Sequence, residues 1–203
     1  MKKNTLFIIS TIIILSACQN STNNQDIDPI LGSRSELLEN VTNNIIIPAH
    51  DNLQNELANL NTKTQDFTSN PTVLGLSELR NAYVQAYIAW QPVEMFVIGK
   101  AEEIEYAKTM NTYPCNTTQI NNNIQSQSYD LNQANWLSWS SQGFPTLDYI
   151  LYGIDVDSNQ IINYYIGVDG IKYLDYLNAI VSQMQSNTNL VIDYWQTNKE
   201  AFI

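Results

Sequence analysis

Carboxylates are the residues of this chain best placed to do chemistry. Glu94 lies one turn beyond Trp90 beside an apolar stripe, Glu102, Glu103 and Glu105 follow Gly99, and Asp148 falls early in a segment opened by Pro145. Carboxylates carried on different helices of a bundle can converge on a hard cation such as iron. Each also has an ordinary reading. Asp148 complements a helix dipole, and the three glutamates fit a solvated face. Glu94 stands apart, because a carboxylate set against apolar side chains needs a partner.

Other chemistries find little material. His50 is the one histidine, and no Gly-x-Ser-x-Gly elbow is present, so a Ser-His-acid triad has no framework. His50 follows Pro48 and reads as turned away from Leu53 and Leu57, toward solvent or a capping role. One histidine and one free cysteine cannot close a structural zinc site. Asp155-Val156-Asp157-Ser158-Asn159 begins like a calcium loop, but Gln160 replaces the glycine of the sixth position and Ile166 the glutamate of the twelfth. Asp157 or Ser158 is expected to cap the next helix instead. Cys115, beside Pro114, reads as a small half-buried residue rather than a reactive thiol.

The N-terminus addresses the chain. Lys2 and Lys3 precede an apolar run that ends in Leu15-Ser16-Ala17-Cys18. This is the pattern of a secretory signal over residues 1–17, with Cys18 as the lipidated first mature residue. The run is short for a membrane-spanning helix, so the expected attachment is a lipid anchor. Gln19 in the next position favours the outer membrane in a cell that has one, on a face the sequence does not specify. Residues 18–35 are a polar tether and residues 36–203 the folded domain.

Cleavage removes two of the nine basic residues and none of the twenty acidic ones, leaving seven against twenty, a formal charge of −13. Such a surface repels nucleic acid and draws cations or basic partners. With Cys18 lipidated, Cys115 has no partner for an intramolecular disulfide.

Helices must position these groups. Leu38, Val41 and Ile45, then Leu53, Leu57 and Leu60, keep one spacing on both sides of Pro48, which predicts a long helix bent at the proline. Asn70-Pro71 ends it. Leu79, Tyr83, Ala86, Trp90, Val93 and Val97 predict a second helix closed by Gly99. Residues 109–130 read as a long connection with one short helix, and Leu131–Trp139 as a further helix. Gly143-Phe144-Pro145 opens another, capped at Gly153. Residues 159–185 and 188–203 predict a helical hairpin with a break at Gly167 or Gly170. No segment alternates as a strand does, so the expected fold is all-α, an up-and-down helical bundle with an irregular crossing.

Three motifs in order resemble the imelysin family (peptidase family M75). They are Ala89-Trp90-Gln91-Pro92-Val93-Glu94-Met95-Phe96-Val97-Ile98-Gly99, then Tyr113-Pro114, then Gly143-Phe144-Pro145-Thr146-Leu147-Asp148-Tyr149-Ile150-Leu151-Tyr152-Gly153. Ile46-Ile47-Pro48 is similar to that family's first helix. The resemblance implies an all-helical fold of two bundle-like halves, of which this chain would hold the first half or somewhat more. The bare Phe202-Ile203 end fits that expectation.

The resemblance also implies an envelope role in iron acquisition. The family hallmark is Gly-x-His-x-x-Glu; here Gly143 is kept, Pro145 replaces the histidine and Asp148 the glutamate. Pro145 cannot ligate a metal, so peptidase activity is the weaker expectation. The stronger one is a non-enzymatic lipoprotein of iron or haem uptake, with iron as its cargo and envelope uptake proteins as partners. Asp148 and Glu94 are then the candidate metal carboxylates, Asp148 serving as ligand or hydrogen-bond acceptor, with Trp90 as a packing wall. Gly143, Pro145, Asp148, Trp90 and Gly99 mark the family site. The rival reading is a structural or protein-binding envelope lipoprotein with no metal site, its acidic, aromatic surface serving a partner.

Overall fold

The computed structural model describes residues 32–203, so the signal segment, Cys18 and nearly all of the tether lie outside the described residues. Residues Arg34–Ile203 form one compact unit. Among the described residues every regular element is helical. No helix among them is long and apolar enough to cross a membrane.

The first rod is α1 (Arg34–Val41), a π turn (Thr42–Ile46) and α2 (Ile47–Ser69), with helical backbone through both junctions. The expected disturbance at Pro48 is present, displaced one turn toward the N-terminus. Proline removes a backbone donor, and a widened turn ahead of it absorbs the mismatch. There the Ile47 amide bonds the Thr42 carbonyl, five residues back. The added residue rotates the face. Thr42 and Ile46 point inward and Ile45 outward, which corrects the stripe expected through Ile45.

Beyond the turn, Leu53, Leu57, Leu60 and Phe67 are buried as spacing dictates. Asn70 ends α2 in a non-helical conformation, and Thr72 caps α3 (Val73–Trp90) by accepting a bond from the Gly75 amide at 3.0 Å. The α3 stripe of Leu79, Tyr83, Ala86 and Trp90 is buried. The helix stops at Trp90, earlier than expected, because Pro92 cannot continue it. Tight turns replace it: the Val93 and Glu94 amides both bond the Trp90 carbonyl, at 2.9 and 3.0 Å. Val93 is buried and Val97 is not.

Short helices follow: α4 (Lys100–Glu103), α5 (Tyr106–Asn111), α6 (Thr117–Ser126), a 3-10 turn (Trp136–Ser141), α7 (Gly143–Asp148), a π turn (Tyr149–Gly153) and α8 (Ile161–Ile166). The helix expected over Leu131–Trp139 is the 3-10 turn, shifted toward the C-terminus. Asp130 and Asn132 each bond a backbone amide two residues on, and these local side-chain bonds compete with helix formation.

The expected C-terminal hairpin is one helix, α9 (Gly170–Phe202), 33 residues long. Its break at Gly167 is real, but the polar stretch around Asn187 is not a loop. Asn187 and Thr188 are buried. Thr188 donates to the Met184 carbonyl at 2.8 Å, which leaves the Tyr106 hydroxyl to donate to Thr188 Oγ1 at 2.6 Å. Asn187 donates to Thr109 Oγ1 at 3.2 Å. Polar partners from α5 therefore allow the helix to run through. α2 packs along both α3 and α9, and α4 to α8 all touch α9. Phe202 is half-buried, edge-on to Trp195 with ring centroids 5.3 Å apart.

His50 corrects a sequence expectation. It is 1% exposed, on the same face as Leu53 and Leu57. Its Nδ1 donates to the Ile46 carbonyl at 2.8 Å, while Nε2 is buried without a partner. Burial lowers its pKa.

Candidate functional site

The site is assembled where α3, α5 and α7 meet, and one glycine sets the approach. Gly143 has φ +74°, a left-handed value that side chains strain to adopt, and a Cβ there would run into the carbonyls of Met110 and Thr109. The chain can therefore bring α7 directly against the end of α5. Gly99 serves similarly at φ +59°, where a Cβ would strike the Tyr194 ring.

Along α7 and its π turn, Phe144, Leu147 and Leu151 are fully buried. Pro145, Asp148 and Tyr149 face the other way, into a cleft of about 400 Å³. Tyr83, Tyr87, Asn111, Tyr113 and Cys115 line the remainder. Tyr83 and Tyr87 lie one turn apart on α3 with rings nearly parallel, 6.1 Å between centroids. Phe144 sits 5.1 Å from Tyr87 and 6.1 Å from Trp90. Trp90 is buried behind the cleft, edge-on to Tyr106, and buttresses Phe144. Its expected place as a packing wall is one layer deeper than the lining.

Asp148 is exposed at the cleft, and the Tyr83 hydroxyl donates to its Oδ1 across a long 3.5 Å. Burial, then the Asp148 charge, then the Tyr87 and Tyr152 rings hold the Tyr83 phenol well above its ordinary pKa. Tyr83 thus enters the cleft as a neutral donor. Burial also raises the Cys115 thiol, so it stays protonated near neutral pH. Tyr149 is fixed at the rim by Asn121, whose Nδ2 donates to its hydroxyl at 3.1 Å. Arg80 closes the back: its Nε donates to the Leu151 carbonyl at 2.8 Å while the guanidinium lies 4.8 Å from the Tyr152 ring centroid.

The two candidate metal carboxylates share no partner. Glu94 is half-buried and accepts from Asn111 Nδ2 at 3.0 Å, which answers its need for a polar neighbour. Asn111 is a cleft residue and Glu94 stands behind it. Glu102, Glu103 and Glu105 are exposed, and Lys100 pairs with Glu103 at 2.7 Å. Among the described residues no three of His, Cys, Asp and Glu gather where they could hold a metal ion. In the Asp155 loop, the carboxylate of Asp155 is occupied by the Asp157 amide and the Tyr164 hydroxyl. Asp157 bonds the Asn159 amide rather than capping α8, whose N-terminal flank is Gln160.

Sequence reasoning placed Pro145 and Asp148 at the centre and missed Tyr87, Asn111 and Tyr149. A signal existed in the four- and three-residue steps of Tyr83, Tyr87 and Trp90. Which of their faces would meet α7 depends on Gly143.

Comparisons with known proteins bear on the family and the fold. The profile of the imelysin family matches residues 46–203. A crystal structure from Parabacteroides distasonis, of a protein described as a candidate iron-regulated protein A precursor, superposes with a TM-score of 0.62 at 15% identity. The match covers 76% of this chain and 43% of that one, so this chain spans less than half its length. No curated protein matches the sequence.

Proposed function

The chain belongs to the imelysin family, and from that premise we propose that it is a non-enzymatic, lipid-anchored envelope protein of iron or haem uptake whose cargo enters the cleft around Asp148. The observation that carries this reading is the cleft itself. The family motif Gly143–Gly153 builds one wall, and its surviving carboxylate, Asp148, stands at the opening. The structural relative, described as an iron-regulated precursor, supports the same direction. Cys18, at the end of the signal pattern, supplies the anchor.

The residues present fit a bare ion poorly. Asp148 is the one carboxylate in the lining, beside neutral phenols and a protonated thiol, which do not close a coordination sphere around a hard cation. They fit better a cargo that brings its own iron ligands and needs aromatic walls with a hydrogen-bond acceptor. Asp148 is then an acceptor rather than a ligand, and Glu94 a positioning residue that orients Asn111. Peptidase chemistry is disfavoured by the residues themselves. Pro145 stands in the histidine position, and His50 is spent on the Ile46 carbonyl inside the core.

The test is equilibrium dialysis of the full chain, purified in mild detergent, against ferric ion, ferric chelates and haem. Retained iron is read by mass spectrometry, alongside Asp148→Ala. Stoichiometric retention of chelated iron or haem, lost in the folded variant, is the expected result. A folded parent that retains none of them would overturn the proposal and favour a protein-binding lipoprotein.

A further inference from the structure

We propose that the cleft selects a positively charged organic group, an ammonium or guanidinium carried by its cargo, seated among Tyr83, Tyr87 and Tyr149 with Asp148 as counter-ion. The inference rests on the uptake reading only in taking the cleft as the cargo site.

Among the described residues Asp148 has no cationic partner. Its one hydrogen-bond partner is the Tyr83 hydroxyl at 3.5 Å, near the limit of a useful bond. The ion pairs among the described residues are Lys63–Glu78, Lys100–Glu103, Lys172–Asp169 and Lys199–Glu200, and none lies in the cleft. No lysine or arginine among the described residues lines it. A carboxylate facing an anionic cargo group there would be repelled with nothing to offset it.

The walls complete the argument. Aromatic rings present a negative face, and a cation within about 6 Å of a ring centroid is attracted to it, more strongly as water is excluded. The fold already uses this interaction next door. The Arg80 guanidinium lies 4.8 Å from the Tyr152 centroid, and that ring is 6.0 Å from the ring of Tyr83. Arg80 is committed to Leu151 and cannot turn to Asp148 without losing that bond. A volume of about 400 Å³ admits a small organic ligand. The acidic excess of the chain, net −11, steers cations toward it.

The experiment compares three probes by titration calorimetry on the full chain in neutral detergent. They are a ferric trihydroxamate with a pendant ammonium, its N-acetylated neutral analogue, and benzyltrimethylammonium, which carries no iron. The ammonium chelate should bind at least about tenfold more tightly than the acetylated one, and benzyltrimethylammonium should compete with it. Asp148→Asn should abolish the preference, and Tyr87→Leu should weaken both cationic probes by roughly tenfold, the scale of one well-placed cation–aromatic contact. Far-UV spectra confirm that both variants fold.

Equal binding of the two chelates would overturn the charge selection and leave the uptake reading standing. Binding of benzyltrimethylammonium with no chelate bound would support the selection and remove the iron reading. A folded parent that binds none of the three overturns the charge selection, and retention of haem or ferric ion in the dialysis then decides the uptake reading by itself.

Discussion

Replacing Gly143 with alanine tests whether the cleft depends on one backbone approach. At φ +74° an L side chain costs about 1–2 kcal/mol from local sterics alone. The new Cβ also meets the carbonyls of Met110 and Thr109, backbone atoms that no rotamer change can move aside. Overpacking of that kind adds typically 1–3 kcal/mol. The expected loss is therefore about 3 kcal/mol, a fall in Tm of roughly 6–12 °C for a domain of this size. Gly153→Ala is the matched control. Its backbone has an ordinary φ, and the nearest atom to its Cβ is Tyr149 Cδ2 at 3.2 Å, on a side chain that can give. Its stability should stay within about 1 kcal/mol of the parent, the chain-entropy gain offsetting the tight contact. Thermal melts followed by far-UV circular dichroism compare the pair. If Gly143→Ala melts within about 2 °C of Gly153→Ala, the α5–α7 approach does not need the glycine and the account of the cleft fails.

Two further outcomes follow from buried groups. His50 has its pKa lowered from 6.5 by burial, so below that value the unfolded chain takes up a proton that the folded chain resists. Stability should fall as pH drops below about 6.5 and level off above it, and urea midpoints between pH 5 and 7.5 should show a shallower slope for His50→Gln; equal slopes would exclude His50 as the cause. Arg80 places both Nε and Nη2 on the Leu151 carbonyl, a fork that lysine cannot reproduce. Arg80→Lys should cost about 1–2 kcal/mol and Arg80→Ala about 2–3 kcal/mol, measured by urea unfolding, since the latter leaves a buried carbonyl unpaired; a lysine variant as stable as the parent would contradict this.

Much of the helical core was legible because apolar spacing carries it. Leu53, Leu57 and Leu60, the α3 stripe through Trp90, and Leu174, Leu177, Val181, Met184, Val191 and Trp195 are all buried as their periodicity requires. The errors came from polar residues at core positions. His50 lies three residues before Leu53 and so belongs to the same stripe, but its polarity suggested solvent. Ser186 and Asn187 suggested a loop, because the partners of Asn187 and Thr188 on α5 lie far away in sequence. The end of α3 was misread because Val93 continues the spacing after Pro92 has stopped the helix. For the cleft, motif residues marked Pro145 and Asp148, while Tyr87, Asn111 and Tyr149 gain a role only through the packing of three separate helices.

The single span of α9 bears on how the domain assembles. α2 and α3 adjoin in sequence and can pair through a short connection, but α2 also lends a face to α9, which begins only at Gly170. Bringing those two together closes a loop of on the order of a hundred residues, an entropic cost that hairpin formation does not meet. The short helices α4 to α8 have α9 as their shared neighbour, and α5 also packs against α4 and α7. Until α9 arrives, Leu53, Leu57 and Leu60 lack their second neighbour. Assembly is therefore expected to be late and concerted, with the middle of the chain open to proteases until the last helix clasps it.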